Sequence, residues 1–299
     1  MESPRKYWSV LILLVFCFDI TYASEGRCPV DCKCSKSRIE CVSPSFPIHI
    51  PNDKIDSLLI RGKLGDIQKG AIAYREKGSM LQLEINVDCI NEIKPMAFAG
   101  TVKIIKFTAK KVFKINPHAF SNIDCQDFYI LDSNISIISG FAFGNISCNS
   151  LKVSNSNISA LETNAFSINR IGNVVCVFNT FNCIDKNALV RNKDFEMIGN
   201  TIYQFLEQDT MPETFRNNKL TCDCSLKWFF TKNYLTAPNN TCSLPLKYKG
   251  KSLRSEMFNS CNTATESVTE CSKPNNSNIL RWNMLISSAL LVITLIVFS

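Results

Sequence analysis

The chain is poor in the residues that enzymes use for proton transfer near neutral pH, since His49 and His118 are its only histidines. His118 lies in an N-P-H-A-F segment, which is typical of an exposed turn. The sequence also lacks a nucleophile elbow, a P-loop, a dinucleotide-binding fingerprint and a paired-carboxylate motif. Catalysis needs an acid, a base or a nucleophile in a defined arrangement, so we predict that the protein is not an enzyme and uses no cofactor.

The first residues predict a secretory signal peptide over residues 1–23. Arg5 and Lys6 supply a positive n-region, Trp8 to Phe18 form an apolar segment, and Ala23 offers a small residue for cleavage. The chain has 15 cysteines, and no histidine, aspartate or glutamate clusters at metal-ligand spacing with the six that lie outside the signal peptide and the two end clusters, Cys89, Cys125, Cys148, Cys176, Cys183 and Cys271. In the oxidising secretory pathway we expect disulfide bonds rather than a metal site.

The last residues predict attachment to a membrane. A polar stalk (263–283) precedes an uncharged apolar tail (284–299), and no lysine or arginine follows that tail. The tail is shorter than the roughly 20 residues that a spanning helix needs, and the whole pattern is typical of a GPI-attachment signal. We predict a GPI anchor at Asn275 or Asn276 on the extracellular face of the plasma membrane, with a single-pass helix as the alternative.

The formal net charge of +7 is mild for a chain of this length. It suggests affinity for acidic surfaces, but an extracellular protein rarely meets nucleic acid, so we expect no nucleic-acid partner.

A unit of about 23 residues recurs along the middle of the chain. Each copy has an alternating apolar pair, typical of a short strand, and then an aliphatic-x-x-aliphatic-x-x-x-Ala-Phe segment. The closing segments of the six clearest copies begin at Leu64, Ile90, Val112, Ile135, Ile158 and Phe181. One unit cannot bury its own apolar side, so the copies are expected to stack around a continuous core.

Cysteine clusters stand at both ends of this repeat. Their spacings are C-x3-C-x-C-x6-C from Cys28 to Cys41 and C-x-C-x17-C-x18-C from Cys222 to Cys261. With the repeat between them, the chain resembles the extracellular leucine-rich repeat family with its cysteine-rich flanking caps. The resemblance implies an α/β solenoid: a right-handed horseshoe with short parallel β-strands on the concave face and a disulfide-bonded cap at each end.

The resemblance also implies the internal organisation of the chain. It predicts an N-terminal cap (24–52), about seven repeats of 22–26 residues (53–216) and a C-terminal cap (217–262). The implied cap disulfide bonds are Cys28–Cys34, Cys32–Cys41, Cys222–Cys242 and Cys224–Cys261. The asparagine ladder of the family is expected only in the second half, because earlier repeats have Asp88, Lys110, Ser133 and Ser156 where later ones have Asn179, Asn200 and Asn218.

The remaining cysteines are only partly assigned by the repeat frame. Cys125 and Cys148 occupy the same position in adjacent units, so strands about 5 Å apart would bring them within reach of a disulfide bond. Cys176 replaces a core aliphatic residue, which predicts a buried free thiol. The pairing of Cys89, Cys176, Cys183 and Cys271 stays open.

The strand positions between the core residues predict a partner-binding concave face. Exposed apolar clusters commonly mark interaction sites, although irregular repeats could equally shuffle such residues into the core. The predicted partner-binding residues are Lys106, Tyr129, Leu131, Lys152, Val175, Val177, Phe178 and Ile198. We expect the partner to be an extracellular or cell-surface protein.

Two further surface features bear on binding. Sequons predict glycans at Asn134, Asn145, Asn157 and Asn239, and the shared frame position of Asn134 and Asn157 would place two glycans on one edge, leaving the opposite side free. A basic run in the C-terminal cap is a candidate site for a sulfated glycan, with a solvated loop as the alternative reading. Its residues are Lys247, Lys249, Lys251 and Arg254.

These features together predict a cell-surface recognition or adhesion protein that binds an extracellular protein through its concave face. The alternative is a soluble or shed binder that regulates an extracellular ligand or a sulfated matrix glycan.

Overall fold

A computed structural model describes residues 28–50, 55–73, 80–166, 170–189, 194–232, 239–261 and 271. The predicted signal peptide (1–23), the GPI-attachment residues Asn275 and Asn276 and the apolar tail (284–299) lie outside the described residues. Of the predicted stalk, only Cys271 is described.

Strands dominate the described chain. Helical structure there consists of α1 (Trp228–Thr231) and three short 3-10 segments, and no helix in this part of the chain has the length and apolarity needed to cross a membrane. The strands are β1 (Cys32–Cys34), β2 (Arg38–Val42), β3 (Ser57–Lys63), β4 (Ile72–Ala73), β5 (Met80–Ile93), β6 (Phe98–Ala109), β7 (Val112–Ile115), β8 (Phe120–Leu131), β9 (Asn134–Ile138), β10 (Ser147–Ser154), β11 (Asn157–Leu161), β12 (Ile171–Val177), β13 (Thr180–Ile184), β14 (Phe195–Ile198), β15 (Thr201–Phe205), β16 (Thr214–Arg216), β17 (Lys219–Thr221) and β18 (Thr241–Leu244).

The strands form a parallel β-solenoid of about eight turns. From β5 onward each turn contributes one stretch to sheet A and the next to sheet B, and the long strand β5 belongs to both. Sheet A contains β1 to β6, β8, β10, β12, β14 and β16. Sheet B contains the end of β5 with β7, β9, β11, β13, β15, β17 and β18.

The predicted α/β horseshoe is therefore wrong, because a second parallel sheet stands where the leucine-rich repeat reading places the convex side. The aliphatic-x-x-aliphatic segments pair in register with their copies in neighbouring turns: Ile135 pairs with Val112 on one side and Ile158 on the other. These segments are rich in β-branched and aromatic residues, which favour extended structure. Without a helical side, the expectation of a concave strand face no longer describes this molecule; sheet A has an outer face instead.

The two sheets enclose one apolar core that runs the length of the stack. Its spine is a column of four aromatic rings, Phe98, Phe120, Phe143 and Phe166, with successive centroids 5.1, 5.5 and 5.6 Å apart and nearly parallel planes. Because each ring comes from the Ala-Phe position of its repeat, the repeat period observed in the sequence becomes the stacking period of the core.

Left-handed backbone at the corners lets successive turns superimpose. The residue before each repeat alanine has positive φ, as in His118 (58°), Phe141 (59°) and Asn164 (60°). The corner from sheet A to sheet B uses the same conformation at Asn155 (52°) and Phe178 (56°). Asparagine adopts this conformation readily, whereas it is uncommon for phenylalanine.

A buried polar ladder runs inside the corner between the sheets and is longer than the sequence predicts. The side chains of Asn179, Asn200 and Asn218 each accept a hydrogen bond from the backbone N–H of the preceding ladder residue, at 2.9 Å in every case. Ser156 and Ser133 continue the ladder, accepting from Ser133 N–H at 3.1 Å and Ala109 N–H at 3.0 Å. A hydroxyl can therefore replace the amide as acceptor, and Asn240 extends the ladder at the other end by accepting from Asn218 N–H at 2.8 Å.

Disulfide-bonded caps close both ends of the stack. At the N-terminus β1 pairs antiparallel with β2, which then starts the parallel sheet, and the bonds Cys28–Cys34 and Cys32–Cys41 hold this unit. At the C-terminus α1 packs its aromatic residues against the last turn, with Trp228 edge-on to Phe205 at 5.2 Å. The bonds there are Cys222–Cys242 and Cys224–Cys261. All four pairs are those that the cap resemblance implies, and Cys125 is bonded to Cys148 across β8 and β10.

Candidate functional site

The outer face of sheet A brings the predicted partner-binding residues onto adjacent strands. Directly paired positions form two rows, which we call the central ladder and the edge ladder. The central ladder is Glu84, Lys106, Tyr129, Lys152, Val175 and Glu196. The edge ladder is Asn86, Thr108, Leu131, Ser154, Val177 and Ile198.

The central ladder has a definite charge pattern. Neighbouring strands lie about 4.8 Å apart, so the two lysines on either side of Tyr129 are separated by about 10 Å along the stack. Glu84 and Glu196 stand at the ends of the ladder, about 24 Å apart by the same spacing. The central ladder therefore has a basic centre with one aromatic ring and two acidic ends. Asp127, two residues before Tyr129 on the same side of β8, adds an acidic group beside the ring.

Phe178 is the most exposed of the predicted partner residues. Its side chain is 68% exposed at the sheet A corner, while the other seven predicted residues are partly exposed and none belongs to the core. The ring lies over Gly199, where an added Cβ would come within 2.7 Å of two ring carbons. Gly199 also has φ of +68°, so glycine meets both a conformational and a spatial demand at this point.

The candidate glycosylation sites border this surface. Asn134 and Asn157 are exposed and directly paired at the starts of β9 and β11, and Asn157 pairs onward with Thr180, two residues after Phe178. The expectation that stacked glycans leave the binding side free therefore needs correction, because their edge adjoins the edge ladder. Asn145 and Asn239 are exposed elsewhere, and the Asn145 side-chain amide donates to Asn122.

The basic run of the C-terminal cap forms a separate exposed surface. Lys247 lies over the ring of Tyr248 with its Nζ 4.7 Å from the centroid, and the Nζ of Lys251 is 5.9 Å from the same ring. Lys249 and Arg254 are also exposed. Cations over an aromatic face are attracted to it, which orders part of the basic surface.

Two described ionisable groups make specific contacts outside the sheet A face. Glu92 accepts hydrogen bonds from Lys94 at 2.6 Å and Asn116 at 3.0 Å, and these bonds lower the pKa of the Glu92 carboxyl. His118 is exposed and stacks on Phe141 at 6.2 Å. Within the part of the chain that the structure describes, no group of three histidine, cysteine or acidic residues could hold a metal ion.

Sequence reasoning missed the partner of the last cysteine. Cys271 is bonded to Cys183 of β13, leaving Cys89 and Cys176 as the free cysteines of the described chain. Cys183 pairs with Ala160, and Ala160 pairs with Ile137, on the outer side of sheet B. If residues 180–184 had been predicted as a strand, Cys183 would have been expected to point outward, where it can form a disulfide bond with a distant cysteine. The prediction of an irregular convex side gave no such expectation.

Comparison with known proteins adds no functional information, because neither the family models nor the curated proteins that were compared match this sequence.

Proposed function

We propose that the protein is a cell-surface recognition or adhesion protein that binds an extracellular protein through the outer face of sheet A. The observation that carries this proposal is the direct pairing of Lys106, Tyr129, Lys152 and Val175 on consecutive strands. A rigid row of alternating aromatic, basic and apolar side chains is suited to recognition, because its members are already positioned before the partner arrives. The protein has no catalytic role in this proposal.

The charge pattern defines the partner. Lys106 and Lys152 on either side of Tyr129 call for an acidic centre with an apolar group to cover the ring, and Glu84 and Glu196 call for basic groups at its two ends. Aromatic residues near the centre of an interface usually supply much of its energy, whereas exposed charges mainly tune association rate and specificity.

Six disulfide bonds indicate an extracellular or secreted protein. We propose the GPI anchor at Asn275 or Asn276 from the sequence of the tail. We also propose that the two caps are related to the flanking modules of extracellular leucine-rich repeat proteins, and the cysteine pairs of the caps support this relationship.

Matched substitutions on the two sides of the solenoid test the binding face. We expect Tyr129→Ala to weaken partner binding at least tenfold, and Tyr203→Ala, an exposed tyrosine 45% accessible on sheet B, to leave it unchanged. Phe178→Asp should act like Tyr129→Ala without harming the fold, because aspartate occupies the equivalent corner at Asp132. Phe141→Asp, at another left-handed corner, is its control.

The measurement is binding of the purified protein to an array of extracellular proteins and to cells, with secretion as the check on folding. Equal loss of binding in the sheet A variants and their controls would refute the assignment of this face.

The alternative function is a soluble or shed binder of a sulfated glycan, favoured by the exposed basic run in which Lys247 and Lys251 lie against the ring of Tyr248. Replacing Lys247, Lys249 and Lys251 with glutamine should then shift elution from a heparin column to lower salt and leave binding through sheet A intact. Retained heparin binding in this variant would refute the glycan site. Phospholipase treatment of cells tests the GPI anchor, since a spanning helix would keep the protein on the membrane.

A further inference from the structure

The C-terminal part of the chain is covalently held against the middle of sheet B. The Cα atoms of Cys271 and Cys183 are 5.8 Å apart although the two cysteines are separated by 88 residues in sequence. Cys271 is only 8% exposed and packs with Cys183 and Ala160, each 6% exposed, and with Ile137. Since the three sheet B residues are paired across β9, β11 and β13, Cys271 covers a small apolar strip in the centre of that sheet.

The connectivity shows that this attachment runs back along the stack. Cys261 is bonded to Cys224, which follows β17 at the C-terminal end of the solenoid. Ten residues later the chain is at β13, two sheet B strands closer to the N-terminus. Whatever follows Cys271 therefore leaves from the side of the solenoid and not from its cap.

The exit point determines how much chain separates the solenoid from the proposed anchor. The proposed attachment residues Asn275 and Asn276 lie four and five residues beyond Cys271. Fully extended, five residues reach at most about 17 Å, whereas the 15 residues from Cys261 to Asn276 would reach about 50 Å. The disulfide bond thus shortens the tether about threefold.

The strands of sheet B carry fewer charges than those of sheet A. The only charged residues of β7, β9, β11, β13, β15 and β17 are Lys114 and Lys219, and the end of β5 adds Glu92, which is paired with Lys94. Sheet A strands carry charges of both signs, among them Glu84, Lys106, Asp127, Lys152 and Glu196. Aromatic rings such as Tyr203, which is exposed on sheet B, are well suited to the membrane–water interface.

We propose that the Cys183–Cys271 bond fixes the membrane tether to the side of the solenoid, so that the centre of sheet B lies toward the lipid headgroups and sheet A points away from the cell. In this orientation the candidate glycosylation sites Asn134 and Asn157 lie at the corner toward sheet A, three residues before the strip that Cys271 covers. This inference rests on the GPI anchor proposed above. Its consequence is that the central ladder and Phe178 are presented to partners outside the cell, which a tether at the C-terminal cap would not ensure.

The first test asks whether the bond retains the protein on cells. A specific protease site is inserted between residues 262 and 270 of the full chain, and intact cells are treated with the protease. We expect the solenoid to stay on the cells until a reductant is added, whereas the double variant Cys183→Ala, Cys271→Ala is released at once. Alanine at position 183 is matched to the fold, because Ala160 occupies the same position one turn earlier.

The outcomes separate the two proposals. Release of the protein with native cysteines in the absence of reductant overturns the side tether while leaving the anchor intact. Protein found in the medium before protease is added overturns the anchor and the side tether with it. A second protease site placed directly after Cys271 checks access, because cleavage there should release every variant without reductant.

The second test measures orientation. Fluorescent donors are attached through unnatural amino acids at Lys33 in the N-terminal cap and Lys249 in the C-terminal cap, both exposed, with an acceptor in the lipid. Sheet A stacks nine strands from β2 to β16, and their eight spacings amount to about 38 Å, so a tether at the cap would hold Lys33 that much farther from the membrane. We expect similar energy transfer from both donors, and a clear loss from Lys33 in the double cysteine variant. Much weaker transfer from Lys33 than from Lys249 in the protein with native cysteines would overturn the proposal.

Discussion

Replacement of Asn200 by alanine should destabilise the solenoid far more than its small volume suggests. The Asn200 side chain is fully buried and makes four hydrogen bonds. It accepts from the backbone N–H of Asn179 at 2.9 Å and from its side-chain amide at 3.1 Å, and it donates to the Cys176 carbonyl at 2.9 Å and to Asn218 at 3.1 Å.

The magnitude follows from the groups left without a partner. A buried donor that loses its acceptor costs about 1–3 kcal/mol, and here Asn179 N–H loses its acceptor while the Cys176 carbonyl loses a donor. We expect Asn200→Ala to cost about 3 kcal/mol, which for a domain of this size lowers the melting temperature by roughly 6–12 °C. Asn200→Ser should cost only about 1–1.5 kcal/mol, since a hydroxyl can accept from the backbone as Ser156 does.

Thermal unfolding of the purified, non-reduced protein, followed by circular dichroism, is the assay. Asn182→Ala is the control, because Asn182 is exposed on sheet B in the adjacent turn and its loss should change the unfolding free energy by less than about 0.5 kcal/mol. If Asn200→Ala has the same melting temperature as the control, or if Asn200→Ser melts no higher than Asn200→Ala, the hydrogen bonds of the ladder do not stabilise the corner.

Two other predictions concern the backbone and the buried thiol. Gly199→Ala should destabilise the protein by about 1–2 kcal/mol because of the left-handed φ alone, and by more because the added Cβ contacts the Phe178 ring. Gly65→Ala is the control, because no atom lies within 4 Å of its added Cβ, and it should be near neutral. Equal effects of the two substitutions in urea unfolding would refute the argument. Burial raises the pKa of the Cys176 thiol to about 12, so the folded state holds this proton while an unfolded thiol loses it above pH of about 8.5. This group therefore leaves the free energy of unfolding unchanged below that pH and lowers it as pH rises toward 12. Between pH 7 and 10 the native protein should lose about 2 kcal/mol of stability relative to Cys176→Val, a variant that copies the paired residue Val153. Parallel pH profiles of the two proteins would contradict this.

Local sequence patterns were sufficient for the features that depend on spacing along the chain. Cap cysteines such as Cys32 and Cys34 have the partners that the resemblance to the flanking caps implies. Cys125 and Cys148 meet because a repeat of 23 residues places equal positions on adjacent strands. The same periodicity placed Lys106, Tyr129 and Lys152 on one row, which follows from strand alternation whatever the opposite side of the solenoid contains.

The identity of that opposite side could not be read from the repeat. An aliphatic-x-x-aliphatic segment such as Ile135 to Ile138 presents two core residues either as part of an irregular convex turn or as a strand. The segment forms a strand only if the backbone N–H and C=O groups of the neighbouring turns are in register with its own. That register depends on the left-handed corners at His118, Phe141 and Asn164. Methionine, histidine or phenylalanine at such corners carries no sequence signal for that conformation.

The sequence by itself determined a secreted, disulfide-capped stack of 23-residue units and the positions that face its core. Only the tertiary structure decided that the stack has two parallel sheets, that serines continue the buried ladder to Ala109, and that Cys271 returns to Cys183. The physical reason is range: core-facing periodicity and cap disulfide bonds depend on residues near each other in sequence. Sheet B and the bond across 88 residues depend on which turns come to lie side by side, and that is settled only when the whole stack has formed.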